Sequence, residues 1–392
     1  MADFAAEIRA WLEANCPPSM RTQAAPGEEV WGGRRAVFPN ADAKLWLERC
    51  AAVGYTAPTW PKKYGGGGLS DADAQILEQE MRRMGCRRPL VSFGVWMLGP
   101  VLLEFASEEQ KREHLPKIVR GEIRWCQGYS EPGAGSDLAS LATRAVRDGD
   151  HYIVDGTKVW TTHADQADFM FCLVRTDATA AKHDGISFLL IDMASPGVST
   201  RPIPLISGSS PFCETRFEGV RVPVANRVGV ENAGWQIAKR LLEYERAVIS
   251  VMRDAAVEDR ETLEAQARRC VGEADGLIAD PIVRDRVIAS NIDFLCNRLT
   301  LMRSREEAQA GRGPGAASSM FKYYGTELSK ARKDLRVVLA GYQGIGWEDP
   351  GFTAEELQLC RDWLRSRASS IEGGTSEIQL NIIAKRVLGL PD

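Results

Sequence analysis

The spacing of apolar residues changes twice along the chain, and this change constrains the fold more than any single motif. Residues 1–123 repeat apolar side chains at helical spacing. From about residue 124 the pattern becomes short apolar runs separated by turn residues, and from Gly234 it is helical again. We therefore expect an α+β multidomain protein with an N-terminal α-helical domain, a middle β-barrel or sandwich domain and a C-terminal helical bundle domain, at 1–123, 124–230 and 231–392.

Several elements follow from local patterns. Val91–Phe105 is apolar almost all round, which predicts a buried helix. Asp155-Gly156 lies between two β-rich runs and predicts a hairpin with a two-residue turn there. In the last part of the chain, long helices are expected at about 234–268, 281–312, 315–340, 354–368 and 376–388.

Composition excludes several classes of protein. The net charge of −4 gives no reason to expect a nucleic acid or an anionic membrane as partner, and no apolar run approaches the ~18 residues of a membrane span. The N-terminus lacks the pattern of a secretory signal. The nine cysteines contain no Cys-x-x-Cys pair and the four histidines are dispersed. We expect reduced thiols in a cytoplasmic protein and no metal site.

A glycine-rich stretch at 125–138 is the first candidate binding element. It carries three glycines, whose backbone can approach a ligand closely, but a surface turn would have the same composition. It is not the dinucleotide fingerprint Gly-x-Gly-x-x-Gly. Further along lies Val159-Trp160-Thr161-Thr162, a rigid aromatic followed by two hydroxyls, although Trp160 alone could be a core residue. We interpret the two segments as two walls of a flavin site.

Glu245 is a candidate general base because helical spacing places it on an apolar face. Leu241 and Leu242 precede it by four and three positions, and Val248 and Ile249 follow by three and four. Burial raises the pKa of a carboxylate, as a base working near neutral pH requires. The alternative is a buried glutamate paired with an arginine such as Arg246. Both interpretations fit the pattern.

A second candidate loop, at 369–379, places two glycines before a helix. Such a turn suits a phosphate or a polarised carbonyl, but an isolated motif of this kind is more often an ordinary capped helix start. Glu372 on this loop is a second candidate carboxylate.

Together these motifs resemble the acyl-CoA dehydrogenase family. The match runs from about residue 50 to the C-terminus and includes five spaced motifs in the family's order. They are Tyr64–Ser70, Ser107–Lys111 with Leu115-Pro116, Gly128–Asp137, Val159–Thr162 and Gly373–Gln379. The resemblance implies a helical domain, a β domain and a four-helix bundle. It also implies FAD-dependent α,β-dehydrogenation of an acyl-CoA thioester, in which a glutamate takes the α-proton and the flavin takes the β-hydride.

The resemblance also implies roles for individual residues. Around FAD, the flavin ring would contact Tyr129, Ser130, Trp160 and Thr162, and the cofactor phosphates would lie near Gly135, Ser136 and Thr375. Gly373 and Arg246 would lie at the substrate, with the Gly373 N–H polarising the thioester carbonyl.

The catalytic glutamate departs from the family's commonest pattern. Most members carry it immediately before Gly-Thr on the C-terminal loop, where this chain has Gly373, so Glu372 is displaced by one. A minority carries the base in a Glu-Arg pair on the first bundle helix, which Glu245-Arg246 matches. We expect Glu245 to be the base, with Glu372 as the alternative.

Two further departures concern the oligomer. The family's Arg-x-x-Phe-Gly motif, which reaches a neighbouring subunit's FAD, has only Arg268–Gly272 as its nearest match, and Ala340 replaces a family glutamine. A partner chain would then complete the site, as in the family's heteromeric branch.

Several alternatives stay open. The protein is expected to form a homo- or hetero-oligomer, a dimer or tetramer, that passes electrons to an electron-transfer flavoprotein or similar acceptor. A flavin-bearing subunit for bulky or steroid side-chain thioesters, a non-catalytic subunit and a flavin monooxygenase on the same fold are the alternatives. The acyl group is not specified.

Overall fold

The computed structural model describes residues 2–25, 27–255, 261–307, 317–348 and 350–391. They form two compact units: residues 1–203 with 211–244, and residues 204–210 with 245–392. The division falls inside one helix, between Tyr244 and Glu245. The three-domain boundaries expected from the sequence stay a prediction.

The N-terminal part is helical, as predicted. Its α-helices are α1 (Ala2–Asn15), α2 (Ala41–Ala52), α3 (Asp71–Arg83), α4 (Gly99–Phe105) and α5 (Glu108–Val119). Ser70 caps α3, and Ser107 caps α5 in a capping box with Gln110. The predicted buried helix over 91–105 is α4 preceded by a π-helical turn, Gly94–Leu98.

The middle part is a β-sheet, which confirms the predicted change of pattern. Its strands pair in the order β6-β7-β3-β2-β4-β5-β8, and β1 joins β4 in parallel. The strands are β1 (Trp125–Gly128), β2 (Arg144–Asp148), β3 (His151–Thr162), β4 (Phe169–Arg175), β5 (Ile186–Asp192), β6 (Val198–Ile203), β7 (Phe212–Pro223) and β8 (Arg227–Val228).

Side-chain alternation along the strands supplies two apolar clusters on opposite faces. On β1, Trp125 packs in a cluster with Leu98, Leu102 and Leu115, whereas Cys126 packs in the other, with Tyr152 and Val154. The part of the sheet formed by β1, β4 and β5 is therefore buried on both faces, which supports the loop after β1.

The hairpin predicted at Asp155-Gly156 is wrong. β3 runs without interruption through both residues, with a register shift between Val154 and Gly156. Gly156 has φ +151°, and a Cβ there would lie 2.5 Å from Thr143 Oγ1. Glycine is therefore required by the bulge in β3 and by the close approach of its backbone to Thr143. The two-residue turn is instead Gly149-Asp150, since Asp148 pairs with His151 and Gly149 has φ +59°.

The C-terminal part is helical, as predicted. Its helices are α6 (Gly234–Ala255), α7 (Leu263–Val271), α8 (Pro281–Glu307), α9 (Ala317–Ala340), α10 (Ala354–Ser366) and α11 (Ser376–Ile382), which continues as a π-helical turn, Ile383–Val387. Helix α9 contacts α7, α8, α10 and α11. Leu335 and Leu339 of α9 pack with Leu263 and Ala267 of α7 in the apolar cluster of this part.

The single helix predicted over 234–268 is wrong. Thr262 caps a separate helix α7 by accepting a hydrogen bond from the Ala265 N–H, at 3.1 Å. Residues 256–260 lie outside the described residues. After α7, a short hairpin pairs β9 (Glu273–Ala274) with β10 (Leu277–Ile278), and its turn residues Asp275 and Gly276 have φ +52° and +74°.

No helix in the described ranges is long and apolar enough to cross a membrane.

Candidate active site

The glycine-rich loop after β1 is anchored by a buried carboxylate. Glu131 accepts hydrogen bonds from the Ala142 and Thr143 N–H groups at 2.7 and 2.9 Å. It also accepts one from Lys158 Nζ at 2.8 Å, and Lys158 has no exposed surface. Lys158 donates a second hydrogen bond to the Tyr129 carbonyl at 3.0 Å. This ion pair therefore ties the loop to strand β3.

Burial alone would favour the neutral form of Glu131 and raise its pKa. The Lys158 ammonium and the hydrogen bonds to the carboxylate outweigh burial, so the pKa of Glu131 lies below its usual value. A buried charge is tolerated when it is paired and hydrogen-bonded, as here.

Backbone hydrogen bonds bring the two predicted walls together. The Val159 N–H donates to the Ser130 carbonyl at 2.9 Å, which places Trp160 beside the loop. Within the loop, Glu131 and Ala134 exchange backbone hydrogen bonds of 3.0 Å. The sequence prediction that these two segments act together is consistent with this geometry.

The three glycines of the loop differ in what surrounds them. A Cβ at Gly128 would lie 2.2 Å from Met170 Sδ, so packing requires glycine there. A Cβ at Gly133 or Gly135 would meet no atom within 4 Å. No contact in the described part of the chain therefore explains those two glycines. An open backbone of this kind, followed by the exposed Ser136 hydroxyl, fits the phosphates of a bound dinucleotide.

Trp160 is not a core residue, so that interpretation is wrong. Its side chain is 55% exposed, and its backbone is left-handed, with φ +61°. A bulky residue in this region costs about 1–3 kcal/mol and persists only where the surroundings enforce it. A register shift between Lys158 and Thr161 provides that constraint. An exposed indole held in this way fits an aromatic ring system such as the isoalloxazine.

The residues around Trp160 differ in solvent exposure. Thr161 is buried and donates to the Cys213 carbonyl at 2.7 Å. Thr162 is partly exposed, as is Ser130. Tyr129 is buried and packs edge-on against Phe171, with ring centroids 6.2 Å apart. The partly exposed hydroxyls of Ser130 and Thr162 are thus the groups that suit hydrogen bonds to a bound flavin.

The second candidate loop is a capped helix start. Gly373 and Gly374 are left-handed, with φ +66° and +89°. Thr375 caps α11 by accepting from the Ile378 N–H at 3.2 Å. Gln379 donates to the Gly373 carbonyl at 3.4 Å and lies where a Cβ at Gly374 would meet it, at 2.6 Å.

The two candidate carboxylates have different surroundings. Arg365 donates a hydrogen bond to Glu372 at 2.7 Å, so that carboxylate is held by a guanidinium. Glu245 is half-buried on α6, one turn after Leu241, which is fully buried. Glu243, two positions before Glu245, is exposed and pairs with Arg240 at 2.7 Å.

The second half of the predicted apolar face, after Glu245, lies outside the described side chains. The side chains of Arg246, Val248 and Ile249 lie outside the described residues, although α6 itself continues to Ala255.

The arginines nearest to the family's subunit-bridging motif are held within their own helix and its neighbours. Arg268 pairs with Glu264 at 2.8 Å and with Glu273 at 2.6 Å. Arg269 pairs with Glu261 at 2.8 Å.

Sequence reasoning missed the Glu131–Lys158 pair. A lysine at an inward position of a strand that also buries Tyr152 and Val154 was the available signal. Its partner lies 27 residues earlier in the chain, so no local pattern identifies it. Among the described residues, no group of three or more His, Cys, Asp or Glu side chains could hold a metal ion.

Comparisons with known proteins cover nearly the whole chain. Models of the acyl-CoA dehydrogenase N-terminal, middle and C-terminal domains match residues 3–122, 126–220 and 232–388. The acyl-CoA dehydrogenase IpdE1 of Mycobacterium tuberculosis is 37% identical over 391 residues, which cover 99% of this chain and 97% of the relative.

Two solved structures are also similar. One is the Tcur3481-Tcur3483 steroid ACAD, with 31% identity, a TM-score of 0.79 and coverage of 100% of this chain and 97% of that chain. The other is the ChsE4-ChsE5 complex from Mycobacterium tuberculosis, with 30% identity, a TM-score of 0.74 and the same coverage. The chain therefore belongs to the acyl-CoA dehydrogenase family, whose members are FAD-dependent oxidoreductases that act on CH–CH bonds.

Proposed function

We propose that this chain dehydrogenates the Cα–Cβ bond of a bulky, ring-containing acyl-CoA, with Glu245 as the base. The observation that carries the proposal is the exposed, left-handed Trp160 beside the loop that Glu131 and Lys158 anchor. The bulky substrate class is supported by the similarity to a structure described as a steroid ACAD.

The flavin would lie against Trp160, with Tyr129, Ser130 and Thr162 around its ring and Gly135, Ser136 and Thr375 near the phosphates. When bound, FAD supplies the two-electron oxidant that takes the β-hydrogen. The open backbone at Gly135 and the partly exposed hydroxyls at Ser130 and Thr162 support these assignments.

Glu245 would take the α-proton. The proposal is supported by its half-buried position one turn after the buried Leu241 and by the Glu245-Arg246 pair, which resembles the pair that carries the base in a minority of the family. Glu372, whose carboxylate accepts a hydrogen bond from Arg365 at 2.7 Å, is the alternative because it is displaced by one position from the family's usual glutamate.

Gly373 and Arg246 would contact the thioester part of the substrate. In the described part of the chain, the Gly373 N–H donates to no backbone carbonyl, and the Gly373 backbone is left-handed. A free N–H of this kind stabilises negative charge that develops on a carbonyl oxygen.

The active protein would be an oligomer in which another acyl-CoA dehydrogenase chain covers α8. An apolar stripe on that helix repeats at intervals of four and three residues, the spacing of a helix-pairing seam. Its members are each 45–56% exposed: Ile288, Ile292, Leu295, Leu299 and Met302. The opposite side of α8 packs through Val287 in the bundle cluster.

A heteromeric assembly is the second candidate. It is supported by the local pairing of Arg268 and Arg269, which leaves the subunit-bridging role to another chain. The acceptor of the electrons would be an electron-transfer flavoprotein or a similar protein, and a cytoplasmic location is consistent with both assemblies.

Anaerobic titration of the FAD-loaded protein with a panel of acyl-CoA thioesters tests the proposal. Ring-containing acyl groups should bleach the flavin absorbance more completely and faster than straight chains of equal carbon number. Equal bleaching by straight chains would contradict the bulky substrate class. A chain that alone forms an active homo-oligomer with one FAD per subunit would contradict the heteromeric assembly.

A further inference from the structure

Arg124, immediately before β1, is a buried guanidinium without a carboxylate partner. The residue is 8% exposed, and its side chain donates to Gln166 Oε1 at 2.7 Å. In the described part of the chain, no acidic side chain forms an ion pair with it. The nearby Asp168 uses its Oδ2 atom to accept the backbone N–H groups of Arg34 and Arg124, at 2.8 and 2.9 Å.

A charge in this position is costly to the folded protein. Burial lowers the pKa of Arg124, whereas Asp165 and Asp168 act in the opposite direction from a distance. Arginine stays protonated even so, because its ordinary pKa exceeds 12. One neutral amide and one indole ring compensate a buried guanidinium only in part, so a ligand oxygen placed against it would gain a charge-assisted hydrogen bond.

A chain of aromatic rings begins at the guanidinium. Arg124 lies over the Trp31 ring, 4.8 Å from its centroid. Trp31 meets Phe93 edge-on at 5.8 Å and His163 at 5.0 Å, and Phe93 meets Trp96 at 6.4 Å. All four rings are partly exposed. The cluster thus offers an apolar surface next to one buried cation.

The cluster lies on the same two segments that carry the proposed flavin residues. Arg124 leads into β1 and the loop after it. His163 directly follows Thr162, has φ +51°, and donates its N–H to the Pro211 carbonyl at 2.8 Å. Phe93 immediately precedes the π-helical turn and Trp96 lies within it, and such a local irregularity is frequent at functional sites.

We propose that Arg124 and the rings of Trp31, Phe93 and Trp96 bind the acyl part of the substrate. The acyl group would carry an oxygen acceptor, a carboxylate or a ring carbonyl, away from the thioester. The rings contact its hydrocarbon body and the guanidinium contacts its oxygen. This inference rests on the proposed function, since it assigns the substrate class of the same enzyme.

Calorimetric affinity and flavin bleaching, measured for three acyl-CoA thioesters on one carbon skeleton, test the inference. One thioester ends in a carboxylate, the second has a ring carbonyl, and the third is the plain hydrocarbon. The wild-type protein should prefer an oxygen-bearing thioester by about 10- to 100-fold, the range of a charge-assisted hydrogen bond. The thioester that binds more tightly shows whether Arg124 recognises a carboxylate or a ring carbonyl.

Two variants separate this role from a structural one. Arg124→Met should reduce the preference to about one. Gln166→Glu keeps the guanidinium but gives it a carboxylate partner, and should abolish the preference for either oxygen-bearing thioester. Arg221→Met, which removes an exposed arginine paired with Asp148 on the same sheet, is the control and should keep the wild-type preference.

The outcomes are distinct. No preference in the wild-type protein, or a preference that survives in Arg124→Met, overturns the inference. If Arg124→Met does not fold, Gln166→Glu decides. If the wild-type protein bleaches with none of the thioesters, the proposed function fails, while the calorimetric affinities still test the subsite.

Discussion

Lys158 Nζ lies 2.8 Å from Glu131 Oε1 in the interior of the β domain, and neither side chain is open to solvent. The pair joins the glycine-rich loop to the strand that presents Trp160. The orientation of the two proposed flavin walls therefore depends on two charges that do not touch the flavin in our account.

Removing one charge of this pair should be far more damaging than removing both. Lys158→Met leaves the Glu131 carboxylate buried without its cation and should lower the free energy of unfolding by about 3–5 kcal/mol. The double variant Glu131→Gln with Lys158→Met should recover much of that loss. Thermal unfolding and FAD content measure both effects. Wild-type stability in Lys158→Met would show that the pair does not anchor the loop.

Two glycines of the loop should respond in opposite ways to alanine. Gly135→Ala should leave the melting temperature unchanged, because a Cβ there meets no atom within 4 Å, but should weaken FAD binding on the order of tenfold. Gly128→Ala should destabilise the fold by about 1–3 kcal/mol, because its Cβ would lie 2.2 Å from Met170 Sδ. FAD titration by fluorescence and thermal unfolding distinguish the two. Unchanged FAD affinity in Gly135→Ala would remove the loop from the cofactor site.

Acid should weaken the N-terminal helical region through Glu80. Hydrogen bonds from Arg9 and then Arg83 hold the pKa of Glu80 at about 2, below its ordinary value of 4.5. A depressed carboxylate pKa contributes stability above the unfolded value, which is lost as the pH falls from 4.5 to about 2.

Thermal unfolding across this pH window provides the check. Glu80→Gln should flatten the pH dependence, whereas Glu78→Gln, on the exposed side of α3, should not. Parallel curves for the wild-type protein and Glu80→Gln would exclude Glu80 as the cause.

The stripe on α8 should hold the oligomer together. Replacing Leu295 and Leu299 by glutamate places charges in the seam and should reduce the mass measured by light scattering to that of a smaller assembly. Val146→Glu, on an exposed position of β2, is the control and should keep the wild-type mass. An unchanged mass in the α8 variant would remove that helix from the interface.

The sequence predicted the order of helical and β parts, because that order depends on local periodicity. The turn predicted at Asp155-Gly156 was wrong. Glycine is needed at position 156 because the backbone there lies close to Thr143, and a local turn pattern does not include that distant residue. The predicted helix over 234–268 joined α6 and α7 because both have helical composition, whereas Thr262 caps α7 as a separate helix.

The site divides in the same way. The sequence indicated Trp160 and the loop, but the Glu131–Lys158 pair depends on strands that meet only in the folded chain. The assignment of Glu245 over Glu372 stays a prediction.

Anaerobic stopped-flow measurement of flavin bleaching by a ring-containing acyl-CoA tests the central proposal most directly. With equal FAD content in all three proteins, Glu245→Gln should slow bleaching by about 10²- to 10⁴-fold, the contribution of a general base, and Glu372→Gln should bleach at nearly the wild-type rate. Wild-type bleaching in Glu245→Gln together with loss of bleaching in Glu372→Gln would contradict the account.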